Sequence, residues 1–173
     1  MSFESRFLEV FCGRDFTSYE EFDEVLKTFM KENFCNFVLR TCVKDENSVL
    51  RYSKMHYLCS RRKPRPTSSK GVRLVKTKST GCPARFTVNA QGPCLRVTSF
   101  FAQHNHPLNE QSYKSHPLNK RLTPEEASEA RHILQFCPDV HMVKEFVEAR
   151  FGKHLSTNDV YNITRKRRYN RSS

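Results

Sequence analysis

The stretch that decides the fold is residues 59–108, CSRRKPRPTSSKGVRLVKTKSTGCPARFTVNAQGPCLRVTSFFAQHNHPL. Twenty-two residues separate Cys59 from Cys82, and twenty-one separate Cys82 from the pair His104-Asn105-His106. Two thiolates and two imidazoles complete a tetrahedral zinc shell, because Zn²⁺ favours four N or S ligands and makes no geometric demand of its own. On an extended strand, residues i and i+2 share a face. The spacing therefore predicts that His104 and His106 grip one ion, with Asn105 turned away and Pro107 ending the strand. The competing reading is two buried cysteines and two surface histidines, since cysteine is often buried with no metal. Gly81-Cys82-Pro83-Ala84, then a strand-length segment and the histidine pair, favours zinc. Four protein ligands leave no open position for water, so the expected cofactor is one structural Zn²⁺.

Charge points outward from the same stretch. The chain has 173 residues and a net charge of +12. Residues 59–122 hold 13 basic and 1 acidic residue, whereas residues 1–58 sum to −2 and residues 123–173 to +2. So lopsided a block suits a polyanion, because neutralised phosphates release condensed counterions. Residues 61–78 form a proline-broken basic loop tethered at both ends to the metal. Arg61, Arg62, Lys63, Arg65, Lys70, Arg73, Lys76 and Lys78, with Arg85 on the next strand, are the expected phosphate contacts. Such contacts give affinity rather than sequence choice. A solvated basic face or flexible linker is the alternative.

Around this centre the chain reads as α+β. Residues 1–14 form a loose lead-in. Ser18 and Glu21 make a capping box that opens a helix ending near Asn33, with Phe22, Val25, Leu26 and Phe29 as its apolar face. Residues 35–43 and 49–60 read as strands joined by a turn at 45–48, and the second delivers Cys59. Thr80–Asn89 and Cys94–Gln103 are the third and fourth strands, carrying Cys82 and the histidine pair. Residues 15–110 thus make one helix plus a small antiparallel four-stranded zinc-binding sheet. Residues 111–122 are a linker. Residues 123–173 form three helices, opened at Thr123-Pro124-Glu125-Glu126, at Asp139 and at Ser156, with Gly152 stopping the second. The basic last helix suggests a helix-turn-helix or a connector. Arg165, Lys166, Arg167 and Arg168 also fit a nuclear import signal.

No stretch is long and apolar enough to cross a membrane, and the N-terminus does not read as a signal peptide. Seven cysteines in such a chain argue for a reducing compartment. Cys12, Cys35, Cys42, Cys94 and Cys137 are then expected to be small buried hydrophobes. Cys94 and His116 are the neighbours that compete for a place in the metal shell.

GCPARF followed by HNHPL resembles the zinc module of the plant far-red-impaired-response proteins and Mutator-like-element transposases, a module related to WRKY and GCM zinc domains. The resemblance implies Cys59, Cys82, His104 and His106 as ligands, in that order, and DNA as partner. Lys31-Glu32-Asn33-Phe34-Cys35-Asn36-Phe37-Val38-Leu39-Arg40-Thr41-Cys42, after Thr17-Ser18-Tyr19-Glu20-Glu21-Phe22, is similar to the N-terminal region of vertebrate zinc-finger SWIM-type proteins, themselves similar to domesticated transposases. Together the matches cover about residues 14–110. WRKY-type domains insert a strand into the major groove, which here implies residues 49–58 with Arg51 and Lys54. The chain lacks the WRKYGQK heptad, and its two cysteines lie farther apart than in that group.

The expected function is a zinc-dependent DNA-binding module of a transposase-derived, nuclear protein of transcription-regulator type, contacting duplex DNA mainly through phosphates. The alternative is a zinc-stabilised protein-interaction module that has lost DNA binding, docking a protein partner through the acidic first helix and Phe-rich surface. Salt dependence separates the two. An enzyme is the least favoured class: nothing implies a small-molecule substrate, and the acidic catalytic domain of resembling transposases would follow residue 173.

Overall fold

A helix stands where a loose lead-in is expected. The structure, a computed structural model, describes residues 2–46, 49–62 and 79–169, with side chains as far as 163. Helix α1 spans Phe3–Phe11, and its Ser2 cap accepts a hydrogen bond from the Ser5 N–H at 3.1 Å. Phe3, Phe7 and Phe11 recur every fourth residue, so they share one face of the helix. Phe7 and Phe11 are fully buried. The apolar stripe orders the segment; capping alone would not hold so short a helix.

Helix α2 spans Tyr19–Glu32 and buries Phe22, Leu26 and Phe29. Its start differs slightly from a capping box. The Ser18 hydroxyl accepts from the Glu21 N–H at 3.1 Å, but the Glu21 carboxylate takes the N–H and hydroxyl of Thr17, at 2.9 and 3.0 Å. The return bond thus falls one residue earlier than the motif requires.

Four strands follow: β1 Phe37–Lys44, β2 Tyr52–Cys59, β3 Arg85–Gln91 and β4 Cys94–Phe101. They form an antiparallel meander in the order β1-β2-β3-β4. Both helices cover the face that carries Tyr57 and Phe86, whose rings stack 4.8 Å apart and 8° from parallel. Phe7, Phe11, Phe22 and Phe37 all reach Phe86, so one β3 side chain sits at the centre of the aromatic core. A backbone bridge between Phe16 and Leu95 joins the α1–α2 connection to β4. Asp15 adds a two-point contact to Arg96 at 2.6 and 2.7 Å.

Edge strand β1 buries only Phe37, at its first residue. Cys42, expected inside, is therefore exposed. Cys35 is buried, while Cys12, Cys94 and Cys137 are half-buried, and all seven cysteines are free of disulfides.

The chain divides into two compact units, residues 1–109 and residues 110–173. The second begins with two short helices, α3 Glu110–Lys114 and α4 Pro117–Lys120, where a linker is expected. A Lys114–Glu110 pair one turn apart supports the first. Pro117 at the start of the second and the His116 ring, accepting from the Leu118 N–H at 3.3 Å, support the other. Three longer helices follow, α5 Pro124–Phe136, α6 Val140–Phe151 and α7 Thr157–Tyr169. Thr123 and Glu126 form the capping box of α5, Asp139 caps α6, and Gly152 ends α6 at φ +65°. The core here is small: Ala130, Val143, Val147, Leu155, Val160 and Ile163. Among the described residues no helix is long and apolar enough to cross a membrane.

Candidate metal centre

The four expected ligands converge in the first unit. Cys59 ends β2. Cys82 lies in the segment before β3, not on the strand itself, and follows Gly81, whose φ of +69° turns the chain sharply. The histidine pair also differs from expectation: β4 stops at Phe101, and His104-Asn105-His106 crosses a bend. The two rings therefore meet by turning, not by sharing the face of a strand. Asn105 is no bystander. Its amide donates to the Thr80 carbonyl at 3.0 Å and accepts from the Thr80 hydroxyl at 2.9 Å, which clamps the histidine bend to the cysteine segment.

The donor atoms of Cys59, Cys82, His104 and His106 all lie within 4.8 Å of one another. His104 Nδ1 is 3.3 Å from His106 Nε2. Cys82 Sγ is 3.4 Å from His104 Nδ1, and Cys59 Sγ is 3.2 Å from His106 Nε2. A regular tetrahedron with Zn–N about 2.0 Å and Zn–S about 2.3 Å sets N–N near about 3.3 Å and N–S near about 3.6 Å. These three spacings agree within a few tenths of an ångström, and the donor set of two sulfurs and two imidazole nitrogens fits the metal. Neither Cys94 nor His116 joins this cluster; Cys94 pairs with Gln91 at the β3–β4 turn, and His116 caps α4.

The two histidines present different nitrogens. His106 aims Nε2 at the cluster, while its Nδ1 lies 3.2 Å from the Pro107 carbonyl, a contact that fixes Nδ1 as the protonated atom. His104 aims Nδ1 inward. Among the described residues, nothing hydrogen-bonds its buried Nε2. Instead the ring lies edge-on to Phe3, at 4.9 Å and 86°, and 5.6 Å from Phe37. With Nδ1 on a metal, Nε2 would carry the ring proton, and the rings of Phe3 and Phe37 pack on this histidine where an outer acceptor usually stands. Asn105 and Phe3 were not legible as parts of the site. The phenylalanine spacing of α1 was the available signal for Phe3.

The surroundings alone oppose ionisation. Burial is the first cause that pushes the Cys59 thiol up to about 12, and burial followed by the neighbouring His106 brings the His104 imidazole down to about 4. His106 is also lowered, by burial and Arg61 against the opposing Pro107 hydrogen bond. Neutral imidazoles suit a metal. A bound dication would favour the Cys59 thiolate that burial opposes. The Arg61 N–H, 3.5 Å from Cys59 Sγ, donates to that sulfur.

Arg61 also closes the basic loop. Its carbonyl accepts from the N–H groups of Thr80 and Gly81 and the hydroxyl of Ser79, at 2.9, 3.1 and 3.2 Å. Both ends of the loop are thus held at the metal ligands. Lys63, Arg65, Lys70, Arg73, Lys76 and Lys78 lie outside the described residues, as do the side chains of Arg165, Lys166, Arg167 and Arg168. Arg62 and Arg85 are exposed, Arg85 with its guanidinium 5.9 Å over the Phe101 ring. Lys54 is exposed on β2, an interior strand, so only the sheet face and not a strand edge can present it. Arg51 is engaged by Glu20 and lies 5.3 Å over the Tyr19 ring.

Among known proteins, the family model for the N-terminal part of Zinc finger SWIM domain-containing protein 3 matches residues 10–106, more than half of the chain and all four candidate ligands. Searches of curated proteins and of solved structures found no match.

Proposed function

Because the chain belongs to the family of the N-terminal domain of Zinc finger SWIM domain-containing protein 3, we propose that its first unit is a zinc-held module that binds duplex DNA through phosphates. Cys59, Cys82, His104 and His106 would hold one Zn²⁺. When bound, the metal neutralises two thiolates and fixes three chain segments to one point. The chain's own residues supply the contact surface. The Arg61 N–H adjoins Cys59, Arg62 and Arg85 are exposed, and residues 63–78 carry six further cations in the sequence.

The observation that carries the reading is the union of charge and anchorage. The stretch with 13 basic residues against 1 acidic one contains a loop whose two ends meet at Arg61, beside the ligands. Fixing both ends of a basic segment lowers the ordering cost of binding a polyanion relative to a free tail. The resemblance to Mutator-like and WRKY-related modules supports the same partner, and a nuclear, transcription-regulating role follows from it, with the 165–168 run as import signal. Four protein ligands favour a structural metal over a catalytic one.

The test is a mobility shift of the zinc-loaded chain on a short random-sequence duplex across a salt series. Binding should fall steeply with salt, and an Arg61→Ala/Arg62→Ala variant should bind every sequence more weakly and reduce the salt slope by about two. No retention of duplex at low salt would sink the proposal and leave the protein-interaction module as the better reading.

A further inference from the structure

The second unit carries a cleft of about 700 Å³ between the Pro117–Leu122 segment, α5 and α7. Its floor is apolar, formed by Leu122, Ala127, Leu155 and Ile163. Leu155 and Ile163 belong to the buried core of the unit, so the floor is a place where that core reaches the surface. The size lies within the usual range for binding clefts, roughly 300–1,000 Å³.

The unit from 110 to 173 holds twelve basic and eight acidic residues, and residues 110–163, whose side chains are described, hold seven and eight. The cleft nevertheless gathers Lys120, Arg121 and Arg131 against one anion, Asp159. Lys120 and Asp159 answer each other at 2.6 Å. Elsewhere in the unit Lys114, Arg150 and Lys153 are matched with Glu110, Glu129 and Glu126. Among the described residues, no carboxylate pairs with Arg121 or Arg131. Two guanidiniums with no carboxylate partner among the described residues, beside an apolar floor, are complementary to a partner with both carboxylates and apolar side chains.

We propose that this cleft binds an acidic amphipathic segment of a partner protein as a short helix. Its apolar side chains, three or four residues apart, fill the floor above Leu155 and Ile163, and its flanking carboxylates meet Arg121 and Arg131. Duplex DNA matches the site less well, because its phosphates answer the guanidiniums but leave most of the apolar floor unfilled. The inference stands apart from the metal centre and from the DNA reading.

The experiment uses the full zinc-loaded chain and a display library of short helical peptides with randomised acidic and apolar positions. Selection should enrich apolar pairs at three- or four-residue spacing flanked by Glu or Asp. The best binder should weaken by at least about tenfold against an Arg121→Glu/Arg131→Glu variant, whose helical signal and zinc content match the wild type. A Lys-for-Glu version of that peptide should bind the variant better than the wild type, which mere loss of folding would not produce. No enrichment, enrichment without acidic residues, equal binding to the variant, displacement of the peptide by duplex DNA, or occupation of the cleft by a second copy of the chain would each overturn the proposal.

Discussion

The two units solve the problem of a small core in opposite ways. The first concentrates aromatic rings: Phe7, Phe11, Phe16, Phe22, Phe29 and Phe86 are all buried to within 2%, and a cluster of metal ligands closes one end. Among the described residues, the second has no comparable core. It relies on alanine, valine, leucine and isoleucine at six positions, on well-formed caps, and on ion pairs that join its helices, such as Lys153–Glu126 and Lys120–Asp159. Rings bury large areas each, whereas a half-buried ion pair adds only what its attraction leaves after desolvation. The lesson is that the first unit should respond to the loss of single groups, and the second only to many small losses.

The largest expected effect tests the metal. Chelation, or Cys82→Ser, should remove stabilisation on the order of 10 kcal/mol from the first unit, about the whole stability of an ordinary domain. The near-UV aromatic signal should collapse while the helical signal of the second unit persists. If the aromatic signal survives chelation, the phenylalanine core suffices alone and the contrast becomes one of core size. Next comes the core itself. Phe11→Ala should cost about 3–5 kcal/mol, read as a shift in the urea midpoint. Phe136→Ala, at a ring that is 77% exposed in the second unit, should change stability by less than about 0.5 kcal/mol.

The same contrast explains what the sequence could show. The ligand set was legible because chemistry restricts it: thiols and imidazoles at strand-length spacing have few other uses. The four strands and helix α2 followed from alternation and capping. The route to the metal was less legible. Whether His104 and His106 sit on a strand or a bend depends on where β4 loses its partner, and β3 pairing ends at Arg85↔Phe101. Helix α1 escaped because three phenylalanines at four-residue spacing among charged residues resemble a weak local signal until the sheet supplies Phe86 and Phe100 to receive them. Helices α3 and α4 depend on a histidine cap and one ion pair, features that sequence periodicity does not register.

Phe3 sharpens the comparison at an intermediate scale. It belongs to α1, outside the matched 10–106 stretch, yet its ring holds His104. Phe3→Ala should weaken zinc binding by about tenfold, measured by competition with a chromophoric chelator. Phe3→Leu keeps most of the apolar burial and loses the ring edge, so it should recover stability more fully than metal affinity. Equal recovery of both would make Phe3 a packing residue only.

The smallest effect belongs to the second unit and to pH. Burial pushes the Asp159 carboxyl up, but hydrogen bonds from Lys120 and from the Ser156 hydroxyl and N–H outweigh it and hold the group below its ordinary value. Glu126 behaves alike: burial raises it, while Lys153 and the Thr123 N–H bring it below normal. A carboxyl depressed on folding contributes stability above its unfolded value, about 3.9 for Asp, and that contribution disappears as pH falls through the folded value. The helical thermal midpoint of the wild type should therefore hold near neutrality and drop in the acid range. Asp159→Asn should lose no more than about 1 kcal/mol at neutral pH and show a shallower acid decline. The ion pair ties the Pro117–Leu122 segment to α7 along the cleft, so its loss should also loosen that wall. A variant with an unchanged acid profile would show that the pair orders the surface without contributing to stability, and would place the strength of the second unit in its caps and its six-residue core.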